Sequence, residues 1–183
     1  MNKAFVKEPE GDDEDEDPVG VPALPAGSKN YMTPIGHRAL REEFEKLVKV
    51  DRPHLVQVVS WAASNGDRSE NGDYIYGKKK LREMDWRLRY LTKRLDNAEV
   101  VDPAHQANLE QVFFGATVTV SDADDEVTYQ IVGIDEADPG SGKISWISPL
   151  ARALMKAREG DIVKLMSPAG VREIEIMEVR YET

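Results

Sequence analysis

The chain contains no cysteine among its 183 residues, and this absence excludes several classes of site. Without thiols there is no disulfide framework, no cysteine-ligated zinc site and no cysteine nucleophile. The three histidines, His37, His54 and His105, stand far apart in the sequence. Their spacing matches no metal-binding motif, so a histidine-based metal centre is not expected either.

Long apolar runs are also missing. No segment approaches the roughly 18 uninterrupted apolar residues of a membrane span. The N-terminal residues lack the basic stretch and apolar core of a secretory signal. Apolar residues make up 40% of the chain and charged residues 32%, which is ordinary for a soluble protein but lean for one compact core. We therefore expect a cytoplasmic protein without a membrane partner, built from one ordinary domain or two small ones.

Negative charge is concentrated at the N-terminus. Residues 1–29 hold eight acidic residues, three lysines and four prolines, with almost nothing to bury. Such a segment cannot offset the entropy lost on ordering, so the composition predicts a disordered acidic tail. The tail is either a decoy for nucleic acid or for a basic partner surface, or a solubilising extension.

The segment after the tail shows the period of an α-helix. Thr33-Pro34 is an N-cap followed by proline at the first helical position, which is a good start signal. Apolar side chains then recur at spacings of three and four until Ser64-Asn65-Gly66, a turn signal. Pro53 lies inside this stretch and is expected to interrupt or kink the helix.

A second helix follows over residues 71–97, with a leucine-rich stripe at heptad spacing and Gly77 as its one gap. Two long helices joined by a short polar turn predict an antiparallel helical hairpin, a coiled coil that occupies residues 30–100. If its first helix is continuous, the hairpin is on the order of 45 Å long.

The remainder of the chain, residues 101–183, changes to the alternating period of β-strands. The pattern predicts a small α+β domain with an antiparallel sheet and one short helix at residues 150–157, capped by Ser148-Pro149. The expected strands are residues 112–120, 127–134, 143–147, 162–166 and 171–179.

The two parts differ in charge. Residues 71–97 carry eight basic and four acidic residues, whereas residues 98–183 carry seven basic and 16 acidic residues. This contrast predicts a polyanionic partner along the helix and a basic protein surface against the α+β domain. The alternative is that the basic residues simply cover a solvated coiled-coil face.

The turn between the helices is the candidate chemical site. Asp67, Glu70 and Asp73 fall within seven residues of one another. Asp67 and Glu70 are three apart at the expected start of the second helix, so their carboxylates can converge and offer hard oxygen ligands to magnesium. The same spacing also fits a capping box, in which the two residues only satisfy backbone N–H groups. One pair can serve both purposes in turn.

Several stretches resemble one known family. NGDRSENGDY at residues 65–74 and SPLARAL at residues 148–154 resemble the bacterial Gre transcript-cleavage (transcription elongation) factors, and most of all their GreB branch. The resemblance extends from about Tyr31 to Tyr181, whereas the acidic tail lies outside it. Further matching stretches are residues 33–36, 61–64, 81–83, 89–93, 112–116 and 167–170.

The resemblance implies a fold and a function. It implies an N-terminal coiled coil and a C-terminal domain of the FK506-binding-protein-like fold, which docks at the rim of the secondary channel of bacterial RNA polymerase. The tip then reaches the active site, where Asp67 and Glu70 help to hold a second magnesium ion and orient the water that cleaves backtracked nascent RNA near its 3′ end. The factor itself is then a monomer that is not an enzyme and binds no cofactor stably.

The resemblance also implies roles for other residues. Asn71 and Tyr74 match the family tip and support the acids or the RNA end, although Tyr74 also reads as a seam residue. Ser148 and Pro149 match the polymerase-docking loop, although they also read as a helix cap, and Ile147 stands where the family commonly has an acid. The residues implied in RNA binding are Lys78, Lys79, Lys80, Arg82 and Arg89.

Other functions remain open at this level. A secondary-channel regulator that modulates polymerase without cleavage would share the same shape, but the intact Asp67 and Glu70 pair favours cleavage. A coiled-coil adaptor would leave the acids at the tip unused. A peptidyl-prolyl isomerase is suggested by fold analogy alone. A zinc-finger regulator of the same channel is excluded by the lack of cysteine.

Overall fold

The computed structural model describes residues 24–68, 70–122 and 125–182. Three helices form its N-terminal part and a five-stranded sheet forms its C-terminal part, so the predicted α+β class is confirmed. None of the helices in these ranges combines the length and hydropathy that crossing a membrane requires. In chain order the elements are β1 (Asn30–Met32), α1 (Pro34–Lys46), α2 (Arg52–Ser64), α3 (Gly72–Asp96), β2 (Ala98–Val100), β3 (Thr117–Asp122), β4 (Asp125–Val132), β5 (Lys143–Ser145), α4 (Pro149–Leu154), β6 (Ile162–Ser167) and β7 (Gly170–Arg180).

The first helical stretch begins and breaks where its local signals predict. The Thr33 hydroxyl accepts a hydrogen bond of 3.1 Å from the backbone N–H of Gly36, which caps α1. A π-helical turn, Leu47–Asp51, then separates α1 from α2. Pro53 follows at the start of α2, where its missing N–H is least costly. The predicted interruption at Pro53 is therefore confirmed, and it takes the form of a wider helical turn rather than a loop.

Helix α3 lies alongside α1 and α2 in the opposite direction. The Arg87 guanidinium donates to the Glu43 carboxylate at 2.6 and 2.8 Å near the base of the helices. Closer to the tip, Gly77 faces Val59 so closely that a Cβ atom at Gly77 would lie 2.5 Å from a Val59 methyl group. The gap in the heptad stripe is thus a point of close approach between α2 and α3.

A small second sheet closes the base of the helices. Strands β1 and β2 pair in parallel, with Met32 opposite Val100. Met32 is fully buried with Leu91, and Leu40 of α1 packs beside them. Neither strand was predicted, because three residues are too few to show a period of two.

The main sheet is mixed. Its strand order is β5-β4-β3-β7-β6, and every neighbouring pair is antiparallel except β4 and β5, which are parallel. The predicted wholly antiparallel sheet is therefore wrong at the β5 edge. Two 3₁₀ turns, Ile134–Glu136 and Pro139–Ser141, separate β4 from β5 and let the chain return in the same direction. Residues from both layers fill the core: Val118, Ile131, Ala151, Leu154 and Ile176.

Several predicted boundaries are wrong for local reasons. The strand expected from residue 112 begins at Thr117, because a turn precedes it and Gly115 adopts a positive φ of 86°. Helix α4 ends at Leu154 rather than at residue 157, and Lys156 lies in the left-handed region with φ of 69°. The strand expected over residues 143–147 stops at Ser145.

The helices and the sheet are joined by buried polar contacts. The Glu136 carboxylate accepts hydrogen bonds from the backbone N–H groups of Thr33 and Gly133, each at 3.0 Å, and from the Thr33 hydroxyl. Asp135 accepts a hydrogen bond from the Tyr90 hydroxyl and pairs with Arg94, with both charged side chains less than 10% exposed. The 3₁₀ turn between β4 and β5 therefore anchors the base of α1 and α3.

Most of the predicted acidic tail, residues 1–23, lies outside the described residues. Its last residues are described. Ser28 folds back onto the Pro25 carbonyl in a turn, and Lys29 forms an ion pair with Glu99.

Candidate functional site

The candidate site is the loop that connects α2 to α3. Asn65 begins it with a backbone bond of 3.1 Å to the Ala62 carbonyl, and the Glu70 N–H donates to the Asp67 carbonyl at 3.3 Å. Both acidic side chains are exposed. The loop is therefore a short polar turn that presents its carboxylates at the end of the paired helices.

The capping-box alternative for Asp67 and Glu70 is wrong. Helix α3 begins at Gly72, and its N-cap is Asn71, whose side-chain oxygen accepts a 3.1 Å bond from the Tyr74 N–H. Asn71 is a favoured N-cap residue with its own acceptor, so it does the work that spacing had assigned to Asp67. The two acids consequently precede the helix instead of forming its first turn.

Asn71 also joins the two ends of the loop. Its side-chain amide donates a 2.7 Å hydrogen bond to the Ala62 carbonyl in the last turn of α2. One half-buried side chain therefore caps α3 and binds the Ala62 carbonyl at the end of α2, which also accepts from the Asn65 N–H. This arrangement limits how far the loop can move relative to both helices.

The loop encloses an open cleft of about 360 Å³. Trp61, at the end of α2, is 64% exposed on its edge, and Asp73 is the third carboxylate. The local sequence pattern predicts no role for Trp61, although its position off the buried face of Val59 and Ala62 is a usable signal. The cleft is lined by Trp61, Ala62, Asn65, Asp67, Glu70, Asn71 and Asp73.

The donor set of the cleft suits a hard cation. Carboxylate and amide oxygens are the ligands that Mg²⁺ prefers, and Mg²⁺ commonly keeps several waters when only one or two carboxylates bind it. Among the residues described, however, no group of three or more His, Cys, Asp or Glu side chains is arranged to hold a metal.

Tyr74 lies between the tip and the helix seam. Its ring is half-buried, with the Arg68 guanidinium 6.0 Å and the Lys78 ammonium 5.5 Å from its centroid. These distances are within reach of a cation–π attraction, which holds positive charge beside the acidic cleft. This position suits a residue that supports the tip and also a residue of the helix seam.

The basic residues implied in RNA binding do not share one face. Lys78, Arg82 and Arg89 are exposed and recur at helical spacing along one side of α3. Lys80 points elsewhere and binds Glu83 at 2.9 Å, a hydrogen bond that raises the pKa of the lysine and lowers the pKa of the glutamate. Lys79 is exposed between these two sides.

The implied docking residues lie at the start of α4. The Ser148 hydroxyl accepts a 3.2 Å bond from the Ala151 N–H, so the predicted helix cap is confirmed. Pro149 is exposed at the first helical position and Ile147 is half-buried. The cap uses only an acceptor of Ser148, which leaves its hydroxyl proton available for another contact.

The chain is similar to known proteins along most of its length. The family model described as "Transcription elongation factor, N-terminal" matches residues 30–100, and "Transcription elongation factor, GreA/GreB, C-term" matches residues 106–181. GreB of Neisseria meningitidis serogroup A is 59% identical over 155 residues, which cover 84% of this chain and 95% of the relative. GreA of Alkalilimnicola ehrlichii is 44% identical over 156 residues, with coverages of 84% and 99%. A solved structure, GreA factor homolog 1 of Thermus thermophilus, is 21% identical with a TM-score of 0.39 and coverages of 84% and 99%.

Proposed function

Because the chain belongs to the GreA/GreB family of transcription elongation factors, we propose that it stimulates the cleavage of backtracked nascent RNA by bacterial RNA polymerase. The antiparallel helices act as a hairpin that enters the secondary channel, and the α+β part, an FK506-binding-protein-like domain, docks at the channel rim. The observation that carries the proposal is the tip, where Asp67 and Glu70 stand exposed in one cleft at the end of the helices.

The carboxylates are the reactive contribution of this chain. Asp67 and Glu70 would hold a magnesium ion together with the polymerase, and the bound ion would supply Lewis-acid stabilisation of charge at the reacting phosphate. Asp67 and Glu70 also accept hydrogen bonds from a water molecule and orient it toward the phosphodiester. The free protein lacks the remaining ligands and the RNA, so by itself it catalyses no cleavage.

Asn71 positions the acids. Its two hydrogen bonds hold the loop against the last turn of α2 and the first turn of α3. Preorganised ligands lose less conformational entropy on binding than mobile ones. The tip therefore enters the polymerase with its carboxylates already directed to one cleft.

Positive charge along α3 offsets the repulsion between the acidic tip and RNA. Lys78, Arg82 and Arg89 form an exposed line that leads away from the tip toward the base of the helices. Each contact with a phosphate releases condensed counterions, so RNA binding along this line weakens as salt increases. We assign this line to the extruded 3′ segment of backtracked RNA.

Ser148 and Pro149 are the docking contacts on the α+β domain. The Ser148 hydroxyl proton and the exposed Pro149 ring lie at the N-terminal end of α4. Docking at this point leaves the helices free to enter the channel. Ile147 provides an apolar contact beside them, where the family resemblance implies an acid.

The test is a cleavage assay on stalled, backtracked polymerase, with short 3′ RNA fragments as the readout. Asp67→Asn and Glu70→Gln keep side-chain size but remove the charge that a magnesium ion needs. We expect stimulated cleavage to fall about 100-fold or more, since loss of a metal ligand removes several kcal/mol of transition-state stabilisation. Binding to polymerase should change little, because both side chains are far from Ser148 along the chain.

The matched control is Glu42→Gln, which neutralises an exposed acid on α1 outside the cleft and should cleave like the unmodified protein. If Asp67→Asn cleaves normally, the metal role is wrong. A protein that alters transcription without releasing 3′ fragments would instead be a non-cleaving channel regulator. One that does not bind polymerase would be a coiled-coil adaptor.

A further inference from the structure

An open groove runs along the base half of the helices, which is the half far from the tip cleft. It has a volume of about 670 Å³ and lies between α1 with its π-helical turn and α3. Phe44, Val48 and Leu88 form an apolar floor, and Val48 is 43% exposed. Arg89 and Lys93 stand at its α3 edge.

The α3 edge of the groove continues as a line of positive charge. Arg89, Arg82 and Lys78 recur at intervals of seven and four residues, which places them on one face of the helix. In the part of the chain that the structure describes, none of these three residues has a carboxylate partner. On the opposite flank, by contrast, Arg87 is bound by Glu43 and Arg94 by Asp135. Arg89, Arg82 and Lys78 therefore remain available to a polyanion on this face.

The N-terminal segment of the same chain joins the fold at β1, which lies next to this groove. The Asn30 N–H donates to the Asn97 carbonyl at 3.3 Å, and the Asn30 side chain donates to the Arg94 carbonyl at 3.0 Å. Asn97 itself lines the near end of the groove. The preceding residues, 1–23, contain eight acids and two lysines, and six of the acids are consecutive in residues 12–17.

We propose that the acidic segment 1–23 docks in cis along this groove and along the basic line that continues it. The acids of residues 12–17 face Arg89 and Arg82, and Val19 and Val21 cover the apolar floor. Charge complementarity and proximity favour this occupant over a separate molecule. The segment then works as an internal substitute for RNA.

The lengths of the two partners agree. Along α3, Arg89 lies about 12 Å and Arg82 about 23 Å from Asn97, at 1.5 Å per residue. The link from residue 17 to residue 24 spans up to about 24 Å when extended, and the link from residue 12 up to about 41 Å. The acids of residues 12–17 therefore reach both arginines. Most of them cannot reach the acids at the tip.

The regulatory consequence depends on the proposed function, but the docking itself does not. A tethered segment has an effective concentration of about 1 mM, and a non-specific polyanion contact has a dissociation constant of about 0.1 mM. Together these values lower the apparent RNA affinity of the basic line about tenfold at low salt. High salt or a stronger competitor such as extruded RNA releases the segment.

The docking is tested directly by distance measurements, and the absence of cysteine allows clean labelling. Cysteines introduced as Gly11→Cys in the acidic segment and as Ala39→Cys on α1, outside the groove lining, carry spin labels in the full-length protein. We expect a short, narrow distance distribution at 50 mM salt that broadens at 1 M salt and in the Arg89→Glu variant. A distance distribution that changes neither with salt nor in the Arg89→Glu variant overturns the proposal.

RNA binding provides the second measurement. In the full-length chain, the six acids of residues 12–17 are replaced by Asn and Gln, and affinity is measured for a labelled single-stranded RNA of ten nucleotides. We expect about tenfold tighter binding than the unmodified protein at 50 mM salt and no difference at 500 mM. The control neutralises six exposed acids of the α+β domain instead. This variant should bind the RNA with the same affinity as the unmodified protein.

The outcomes separate the two proposals. If the distances respond to salt but stimulated cleavage is absent, docking stands and the proposed function fails. If cleavage occurs but the distances are unaffected and RNA affinities are equal, the docking proposal fails alone. If the neutralised segment changes only the affinity for polymerase, its partner is a basic surface of polymerase, and the proposal in cis is wrong.

Discussion

At the scale of single residues, Asn71 is the side chain that connects both ends of the tip. It donates to the Ala62 carbonyl at 2.7 Å and accepts from the Tyr74 N–H at 3.1 Å. The amide supplies both a donor and an acceptor, whereas a carboxylate of the same size only accepts. The tip therefore depends on an Asn for a reason that neither charge nor size alone would reveal.

The variant Asn71→Asp separates these two bonds. It keeps the cap on Tyr74 but loses the donor to Ala62, which costs about 1 kcal/mol locally. We expect faster hydrogen exchange at residues 62–75, about fivefold less stimulated cleavage and an almost unchanged melting temperature.

Asn65→Asp is the matched control, because it adds the same charge to the same cleft while both Asn71 bonds remain. If Asn71→Asp exchanges like the unmodified protein, Asn71 does not restrain the loop. If Asn65→Asp loses as much activity, added charge is the cause.

At the scale of the elements, the helices are held by one close approach and by ion pairs on their flanks. The lack of a side chain at Gly77 lets Val59 pack closely against α3. Arg52 binds Asp85 at 2.7 Å across the same interface. Because the two side chains are 43% and 37% exposed, solvent screens the ion pair and it contributes little to stability. Burial at Gly77 and Val59 is therefore the stronger determinant of how tightly the tip-side helices pack.

The variant Gly77→Ala tests this contact. A methyl group there meets Val59 and forces the helices apart, at a cost of about 1–3 kcal/mol for overpacking. Urea unfolding followed by circular dichroism at 222 nm should show a lower midpoint.

Gly72→Ala, at the other glycine of α3, adds the same methyl group where no heavy atom lies within 4 Å. It should be neutral or slightly stabilising, because alanine is the better helix former. Equal midpoints for the two variants would contradict the close approach.

At the scale of the whole molecule, the joint between helices and sheet depends on two neighbouring acids. Asp135 holds Tyr90 and Arg94 of α3, and Glu136 holds Thr33 at the start of α1. Burial and the hydrogen bond to Asp135 raise the pKa of Tyr90 above its ordinary value. The contacts at this joint therefore favour the protonated, neutral form of the Tyr90 side chain.

This pKa shift predicts alkaline sensitivity. The folded protein holds the Tyr90 proton more tightly than the unfolded chain, so the stabilisation is complete below the ordinary pKa of about 10 and is lost as pH rises above it. From pH 9 to pH 11 the free energy of unfolding should fall more in the unmodified protein than in Tyr90→Phe.

Burial also raises the pKa of Tyr181. Tyr181 is present in both proteins, so its effect on stability cancels in this comparison. At pH 8, Tyr90→Phe should itself be about 1 kcal/mol less stable, because it lacks the hydrogen bond to Asp135. Parallel stability curves from pH 9 to pH 11 would show that Tyr90 does not titrate at the joint.

The sequence alone was sufficient wherever neighbouring residues decide the structure. Thr33-Pro34 marks the start of α1, Pro53 marks its interruption, and Ser148-Pro149 marks the cap of α4. These signals act over three or four residues, within the reach of one side chain to a nearby backbone group. The exposed acids at the tip were found in the same way, because a polar turn between two apolar stripes has nothing to bury.

Only the tertiary structure decided the features that join distant residues. The parallel pairing of β1 with β2, the parallel edge strand β5 and the contact of Glu136 with Thr33 link positions too far apart for any local pattern to register. The N-cap of α3 shows the same limit on a smaller scale. Both Asp67 and Asn71 can cap a helix, and the choice fell to Asn71 because its amide also reaches Ala62 on the facing helix. Such choices depend on which partners the packed chain brings within hydrogen-bond distance, and that is a property of the fold rather than of the residues taken in order.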